Sequence, residues 1–588
     1  MGTLNVKILS SQKDIDANTR HLLRDLKALE YMLENDWFNK LPVHLGAEQE
    51  MCLIDQHCKP NPISLQVLEK LKDKSFTTEI AKFNLEVNLP PLEFNGKCFD
   101  KLETIINEKL ESLKPLEQEL GFDTVITGIL PTLRKSDVEM SNLTPLQRYD
   151  AIIKAIKRMR GSDYELRIRG MDELYFKHDS ALLEACNTSF QVHLQVAPEE
   201  FTNKYNIALA VAAPVLACAS NSPLLFGKRL WNETRIALFQ QSVDTRRASE
   251  HFRDRSPRVT FGKDWVRNGV MDLYREDIVR YRPIVMAREA NDVMEQLEDG
   301  ITPELGSLMT HNSTVYRWNR ACYGVSPNGR PHLRIENRIL PAGPTVLDEV
   351  ANAAFWLGLI EGYAQEYKDI TRLMSFDDAQ SNFVNAAFTG QRSDMHWFKE
   401  QKVSVHELIQ KELLPMARKG LAYRQVAEED IEKYLSVIEE RNMSGHNGSH
   451  WVLSSYNRLS KEVMKDEVSS TLTSAMLRNQ QTGKPISKWE IATKSDSRVW
   501  SPDSLLVEEF MTRDVFTVQK GDIPELVANM MDWQKIRFVP VEDKNGNLIG
   551  LLSIRKMLRY FVDKNEGKND LPKTVNELMI RNPVTIAP

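Results

Sequence analysis

Four separated segments of the chain place side chains that can bind metal ions or phosphate at every second position. The polar positions are His44, Gly46, Glu48 and Glu50, then Asn84, Glu86 and Asn88, then Ser189, Gln191, His193 and Gln195, and finally His332, Arg334, Glu336 and Arg338. The intervening positions are mostly apolar. Because side chains alternate between the two faces of a β-strand, each segment presents one polar face.

These polar faces favour chemistry with cations and phosphate. If they line one hollow, Glu48, Glu50, Glu86 and Glu336 repel one another unless a cation neutralises them, and carboxylate oxygens suit Mg²⁺ or Mn²⁺. Magnesium commonly bridges protein carboxylates and substrate phosphates, so we expect phosphoryl chemistry with ATP. An ordinary sheet with one solvated face remains the alternative for any single strand.

The elements around these segments predict an α+β protein. Helical patterns at about 14–37, 100–119, 145–159, 203–219, 345–368, 404–418 and 427–440 are interspersed with strands without a regular βαβ repeat. This order favours an antiparallel sheet flanked by helices. Neither a P-loop nor a dinucleotide-binding glycine motif occurs in the sequence.

The composition indicates a globular protein and argues against a nucleic-acid-binding, disulfide-rich or membrane-spanning one. The chain has 588 residues, 42% of them hydrophobic, and a net charge of −6 without a basic block, so nucleic acid is not an expected partner. The six cysteines are scattered, which favours reduced thiols and a cytoplasmic location. The longest apolar run, 207–219, contains Pro214 and is too short to cross a membrane.

The segments GAEQE, FNLEVNLPP, SFQVHLQV and RIENRILPAGP resemble the glutamate–cysteine ligase family in its bacterial carboxylate–amine ligase branch, over about residues 40–370. The resemblance implies a curved antiparallel sheet of the glutamine-synthetase type with ATP and magnesium on its concave face. It also implies that a substrate carboxylate is phosphorylated by ATP and that an amine then attacks the acyl phosphate. Glutamate and cysteine are the family's usual substrate pair.

The resemblance assigns roles to particular residues. It implies that Glu48, Glu50, Glu86 and Glu336 bind magnesium, and that His193 and Gln195 lie near metal and substrate, with His193 in a catalytic role and Gln195 as a cofactor-binding residue. A purely structural role for His193 stays open. Arg338 is the main candidate for stabilising the phosphate or acyl phosphate, and Arg334 is a second one.

The C-terminal part of the chain resembles a cystathionine-β-synthase (CBS) domain. VEEFMTRDVFTV at 507–518 recurs as VNELMIRNPVTI at 575–586, and an Asn545–Gly546 turn separates two apolar runs. We predict a catalytic domain at 1–470, a linker at 471–505, a CBS domain at 506–565 and the start of an incomplete second repeat at 566–588. The resemblance implies an adenine nucleotide as ligand and pairing of CBS domains between chains in a homo-oligomer. Lys556 stands where the family's ribose-binding pattern has Asp, so a packing module is an equal alternative.

The sequence therefore predicts an ATP- and Mg²⁺-dependent ligase that acts on small amino-acid and amine substrates. Two alternatives stay open, a catalytically silent nucleotide sensor and a phosphotransferase acting on a guanidino compound.

Overall fold

A computed structural model describes residues 6–9, 11–161, 164–178, 181–246, 257–287, 292–465, 467–498, 507, 511–512, 515–568 and 570–586. The chain divides into two compact units, Met1–Val499 and Trp500–Pro588. Each unit is described separately below.

The first unit is built around an antiparallel sheet of eight strands. In chain order they are β1 (His44–Ile54), β2 (Phe76–Thr78), β3 (Asn84–Asn88), β4 (Leu92–Glu93), β5 (Asp123–Val125), β6 (Phe190–Val196), β7 (Asn319–Val325) and β8 (Pro331–Asn337). The strand order is β7-β8-β6-β1-β3-β2, and β4 and β5 also pair with β1. The sheet curls into a half-barrel, which confirms the predicted α+β fold with a curved antiparallel sheet.

Helices cover the apolar face of the sheet and fill the rest of the unit. Their bounds are Gln12–Glu34, Ser64–Leu71, Cys98–Glu111, Lys114–Leu120, Gln147–Arg160, Pro198–Ala210, Ala212–Ala219, Thr234–Ser242, Val270–Arg280, Val293–Glu298, Gly306–Asn312, Val346–Glu366, Phe376–Thr389, Val405–Leu408, Leu414–Tyr423, Glu428–Ser444, Gly448–Glu462 and Val468–Gln481. A π-helical turn, Ile409–Leu413, precedes Leu414–Tyr423. The apolar positions of the strands, such as Leu194 and Ile335, join one buried core with the helix Val346–Glu366.

Two helices of this core approach each other at glycines. A side chain at Gly420, in the helix Leu414–Tyr423, would lie 2.0 Å from the carbonyl oxygen of Gly358 in the helix Val346–Glu366. Only glycine permits this backbone separation, so Gly358 and Gly420 set the distance between the two helices.

Short two-stranded sheets surround the central one. They pair Val6–Ile8 with Val285–Ala287, Tyr164–Arg169 with Glu173–His178, Leu224–Leu225 with Lys228–Arg229, Val259–Thr260 with Tyr316–Arg317, and Asp394–Trp397 with Gln401–Ser404.

Most of the segment predicted as a linker, 471–505, belongs to the first compact unit. The helix Val468–Gln481 belongs to the first unit, and its buried Leu472 and Met476 share a core with Trp451 and Trp489. The sequence of this helix lacks a clear amphipathic pattern because two of its buried positions, Thr471 and Thr473, are polar. Residues 499–505 lie outside the described residues.

The second unit is a small sheet with helices. Its strands are β9 (Val518–Gln519), β10 (Phe538–Glu542), β11 (Leu548–Ser553) and β12 (Ile580–Arg581), and its helices are Pro524–Trp533, Ile554–Asn565 and Val575–Leu578. The predicted hairpin is confirmed, since Gly546, with φ 81°, turns the chain between β10 and β11. The beginning of the second repeat packs onto this same core through Val575 and through β12, which pairs with β11.

Over the residues that the structure describes, no helix is both long and apolar enough to cross a membrane.

Candidate active site

The register of the sheet brings the four polar segments onto one concave face. Glu50 lies opposite Glu86, Glu48 lies opposite Gln191, and Glu336 lies opposite His193. Residues paired across strands project to the same side of the sheet. The polar faces predicted from alternation therefore form one continuous surface that runs from β2 to β7.

Three carboxylates form an acidic cluster at the β1–β3 side of this surface. Glu50, Glu79 and Glu86 each place one carboxylate oxygen within 4.8 Å of the others. Asn88 Nδ2 donates a hydrogen bond of 2.7 Å to Glu86 Oε1 and fixes that carboxylate. Three carboxylates so close together are the donor set that a hard divalent cation prefers.

Burial and mutual repulsion disfavour ionisation of this acidic cluster. Burial, with a contribution from the charge of Glu50, raises the pKa of Glu79 to about 8. Burial and the neighbouring Glu48 and Glu79 raise the pKa of Glu86 well above its usual range. A divalent cation would relieve this repulsion, so the residues present fit Mg²⁺ or Mn²⁺.

Glu48 lies next to the acidic cluster but in a different electrostatic environment. Its Oε1 atom is 3.2 Å from Nε2 of His193. Burial opposes ionisation of Glu48, yet the adjacent His193 lowers its pKa to about 2. Glu48 is therefore charged when the carboxylates of the acidic cluster are partly protonated.

Glu336 lies among cations, away from the acidic cluster. Arg320 donates hydrogen bonds of 2.8–3.0 Å to both of its oxygens, Arg338 Nη1 donates at 2.6 Å, and the Cys322 thiol donates at 2.9 Å. Glu336 is only 1% exposed. Although burial opposes its ionisation, the two guanidinium groups hold the pKa of Glu336 well below its usual range.

A short hydrogen-bond chain connects the acidic cluster with these arginines. Gln191 donates through Nε2 to Glu50 Oε1 at 2.8 Å and accepts from Arg338 Nη1 at 2.7 Å. Ser189 donates to Glu50 twice, through its backbone N–H at 2.7 Å and its hydroxyl at 2.9 Å. Glu50 and Arg338 are thereby held on the two sides of one carboxamide.

A pocket of about 570 Å³ opens at one end of the concave surface. Its polar lining residues include Gln195, His332, Arg334, Glu48 and His193, and its other walls are mainly apolar. Gln195 Oε1 accepts a hydrogen bond of 2.9 Å from Nδ1 of His44, another lining residue.

Arg334 is the cation of this pocket. Burial and Arg334 lower the pKa of His332 to about 4, so a neutral His332 accepts a 2.8 Å hydrogen bond from Arg334 Nη1. Among the described residues no carboxylate forms an ion pair with Arg334, which leaves it able to attract an anionic ligand.

The structure brings together the residues that the sequence analysis selected and adds others. Glu48, Glu50, Glu86, Glu336, His193, Gln195, Arg334 and Arg338 all lie on or beside the concave surface. Sequence reasoning missed Arg320 and Cys322, although they alternate with Ala321 and Tyr323 in β7 as the other polar positions do. It also missed Glu79, which follows Thr77 at the same two-residue spacing beyond the short strand β2.

Comparison with known proteins gives two family matches. The model of glutamate-cysteine ligase family 2 (GCS2) matches residues 44–474, and the CBS domain model matches residues 507–563. No curated protein matches the chain.

Comparison with solved structures finds several similar chains at low identity. A glutamate–cysteine ligase from Francisella tularensis in complex with AMP is 11% identical, with a TM-score of 0.48, and the match covers 78% of this chain and 91% of that one. A bifunctional glutathione synthetase from Pasteurella multocida is 10% identical, with a TM-score of 0.42 and coverage of 78% and 55%. The complex between the prokaryotic ubiquitin-like protein Pup and its ligase PafA is 9% identical, with a TM-score of 0.35 and coverage of 77% and 78%.

Proposed function

The chain belongs to glutamate-cysteine ligase family 2 and carries a CBS domain, and from this premise we propose that it is an ATP- and Mg²⁺-dependent ligase. Family membership supports the broader assignment, a carboxylate–amine ligase. In the proposed reaction an amino-acid carboxylate accepts the γ-phosphoryl group of ATP, and an amine displaces phosphate from the acyl phosphate to form an amide. Glutamate, through its γ-carboxylate, and cysteine are the first substrates to test.

One observation carries this proposal. An acidic cluster fit for divalent cations and a pair of half-buried arginines lie on the same concave surface, separated by a single glutamine side chain. Transfer of a phosphoryl group to a carboxylate needs both, because negative charge builds up on the phosphoryl oxygens and the acceptor.

The proposed metal site is formed by Glu50, Glu79 and Glu86, with Glu48 beside them. Magnesium held there would neutralise the phosphate charge of ATP. Glu336, which the sequence analysis proposed as a fourth ligand, has both oxygens engaged by arginines, so it would reach a metal only after one of these bonds opens. We therefore propose that Glu336 first positions Arg320 and Arg338.

The pocket beside Glu48 and His193 is the proposed nucleotide site. Its mainly apolar walls suit a purine ring, and Arg334 and Gln195 supply a charge and a carboxamide for the polar part of the nucleotide. His193 lines this pocket beside Glu48, where it can hold a phosphate oxygen. Arg338 is placed to bind the carboxylate that becomes phosphorylated and to stabilise the acyl phosphate.

The experiment follows ADP release from the purified full-length chain with MgCl₂, ATP, glutamate and cysteine. We expect release only when both substrates and the metal are present, and we expect Arg338→Lys to reduce kcat at least tenfold because a lysine cannot make the two-pronged contact. Lys484→Gln, an exposed substitution, is the control. ADP release that does not depend on any amine would contradict the ligase proposal.

The CBS unit is proposed to regulate this reaction and to pair with a second copy. Ile554, Leu558 and Val562 recur every four residues on the helix Ile554–Asn565 and are 43%, 61% and 50% exposed. Such an apolar stripe favours burial against another protein surface. Light scattering should find a dimer or larger assembly that Leu558→Glu dissociates, and a monomeric wild-type chain would refute the pairing.

Binding of an adenine nucleotide to this unit is the second part of the proposal, and AMP titration of the full-length chain tests it.

A further inference from the structure

A second charged surface lies elsewhere on the first unit. An open groove of about 690 Å³ is formed by the strand Lys228–Arg229, by the last turns of the helix Gly448–Glu462 and by the chain that follows this helix. None of its lining residues belongs to the nucleotide pocket or to the acidic cluster. The proposed ligase reaction therefore leaves this groove without a role.

The charges of the groove are strongly unbalanced. Among the described residues that line it, the titratable cations are Lys228, Arg229, Lys461 and Lys465 and Asp172 is the only carboxylate, so these residues carry a net charge of +3 in a chain whose net charge is −6. In the part of the chain that the structure describes, no carboxylate forms an ion pair with any of the three lysines.

Arg229 is fixed at the wall of the groove by several contacts. Asp172 accepts from its Nε and Nη2 atoms at 3.0 and 2.9 Å, and Asn457 Oδ1 accepts from Nη1 at 3.1 Å. The backbones of Asp172 and Arg229 also exchange a hydrogen bond of 2.8 Å. Because Asp172 forms an ion pair with Arg229, the remaining positive charge of the groove belongs to the lysines.

Glu462, a described acidic residue next to Lys461, is engaged by groups outside the groove. Glu462 accepts hydrogen bonds from Arg458 Nε at 2.8 Å and from the backbone N–H of Lys494 at 3.2 Å. The lysines therefore keep their ammonium groups available for a ligand, at the cost of mutual repulsion that an anion would remove.

We propose that this groove binds a compact anion with at least three negative charges, of the diphosphate class. Lysine ammonium groups act as point charges that suit phosphate oxygens, whereas recognition of single carboxylates usually depends on a free arginine fork, which is absent because Arg229 is paired with Asp172. The groove is thus an anion site separate from the one that would hold ATP.

The test is calorimetric titration of the full-length chain with pyrophosphate in EDTA, so that no divalent metal assists binding at the acidic cluster. We expect saturable binding that weakens as salt is raised. The triple variant Lys228→Gln/Lys461→Gln/Lys465→Gln should bind about eightfold more weakly or worse, since each exposed charge contributes about a two- to fivefold change. Its ligase activity should equal that of the wild type.

A matched triple variant controls for the general loss of positive charge. Lys101→Gln/Lys368→Gln/Lys484→Gln removes three exposed lysines that lie outside the groove, and it should bind pyrophosphate as the wild type does. Absence of saturable binding, equal weakening in both triple variants, or lysine-dependent binding of a glutamate-rich peptide without binding of pyrophosphate would each overturn the proposal.

Discussion

Replacing Glu79 by glutamine should make the metal-free protein more stable, although the substitution removes a residue of the proposed active site. Glutamine keeps the size of the side chain and removes its charge. In the folded chain, burial and the neighbouring Glu50 raise the pKa of Glu79 to about 8 from an ordinary value of 4.5. A folded state that resists ionisation of Glu79 loses stability as the pH rises above 4.5, and the loss levels off above the folded pKa.

The size of the effect follows from these two pKa values. At pH 7 the unfolded chain has ionised Glu79 and the folded chain has not, and one pKa unit corresponds to about 1.4 kcal/mol, so the cost approaches about 3 kcal/mol. For a unit of this size, about 3 kcal/mol corresponds to a rise of about 3 °C in the midpoint of thermal unfolding. The variant should show this rise at pH 7 and no difference from the wild type at pH 4.5.

Thermal unfolding followed by fluorescence at pH 4.5, 6, 7 and 8, in EDTA, measures the effect. The same scans with MgCl₂ should raise the wild-type midpoint more than that of Glu79→Gln, because the variant lacks one of the three proposed ligands. Asp377→Asn, an exposed carboxylate in the first turn of the helix Phe376–Thr389, is the control for loss of a charge. A Glu79→Gln variant that is less stable than the wild type at pH 8 in EDTA would refute the electrostatic reasoning.

Three further predictions concern the arginine pair, the helix packing and the CBS unit. Glu336→Gln should abolish ADP release and also lower stability by about 3 kcal/mol, because it leaves two half-buried guanidinium groups without their buried carboxylate. Unchanged thermal unfolding would contradict the ion-pair geometry. Gly420→Ala should lower the midpoint of thermal unfolding by several degrees, because the methyl group of the new alanine collides with the carbonyl of Gly358. Ala417→Gly, in the same helix, is the control for effects of helix propensity. Deletion of residues 505–588 should leave basal ADP release intact and change its response to adenine nucleotides; an identical response in the truncated and full-length chains would favour a packing role for this unit.

Much of the central sheet was predictable because two-residue alternation is a local property of the sequence. The strands that contain Glu48, Glu86, His193 and Glu336 follow their patterns, and pairing in register places these residues on one face. Their actual partners were harder to predict, because many of the charged groups around each carboxylate come from other strands. Glu336, for example, is paired with Arg320, which lies on the neighbouring strand, as well as with Arg338.

The remaining differences have equally physical causes. Glu184 faces Glu50, whose charge together with burial raises the pKa of Glu184 to about 7, but it lies on the 3₁₀ turn Ala181–Cys186, where no periodicity marks it. Most of the helix Val468–Gln481 falls within the predicted linker because this part of the sequence is largely polar. The helix is stabilised by packing against Trp451 and Trp489, which lie elsewhere in the sequence.

Carboxylates lie at the β1–β3 side of the concave surface and arginines lie at its β7–β8 side, so the two ends of the surface carry different groups. An amino acid, the substrate class proposed above, carries a charge of each sign at neutral pH, so the different groups at the two ends of the surface would favour one orientation of it. Amino acids of many side chains would arrive in one orientation, so selection among them must come from the walls around the surface.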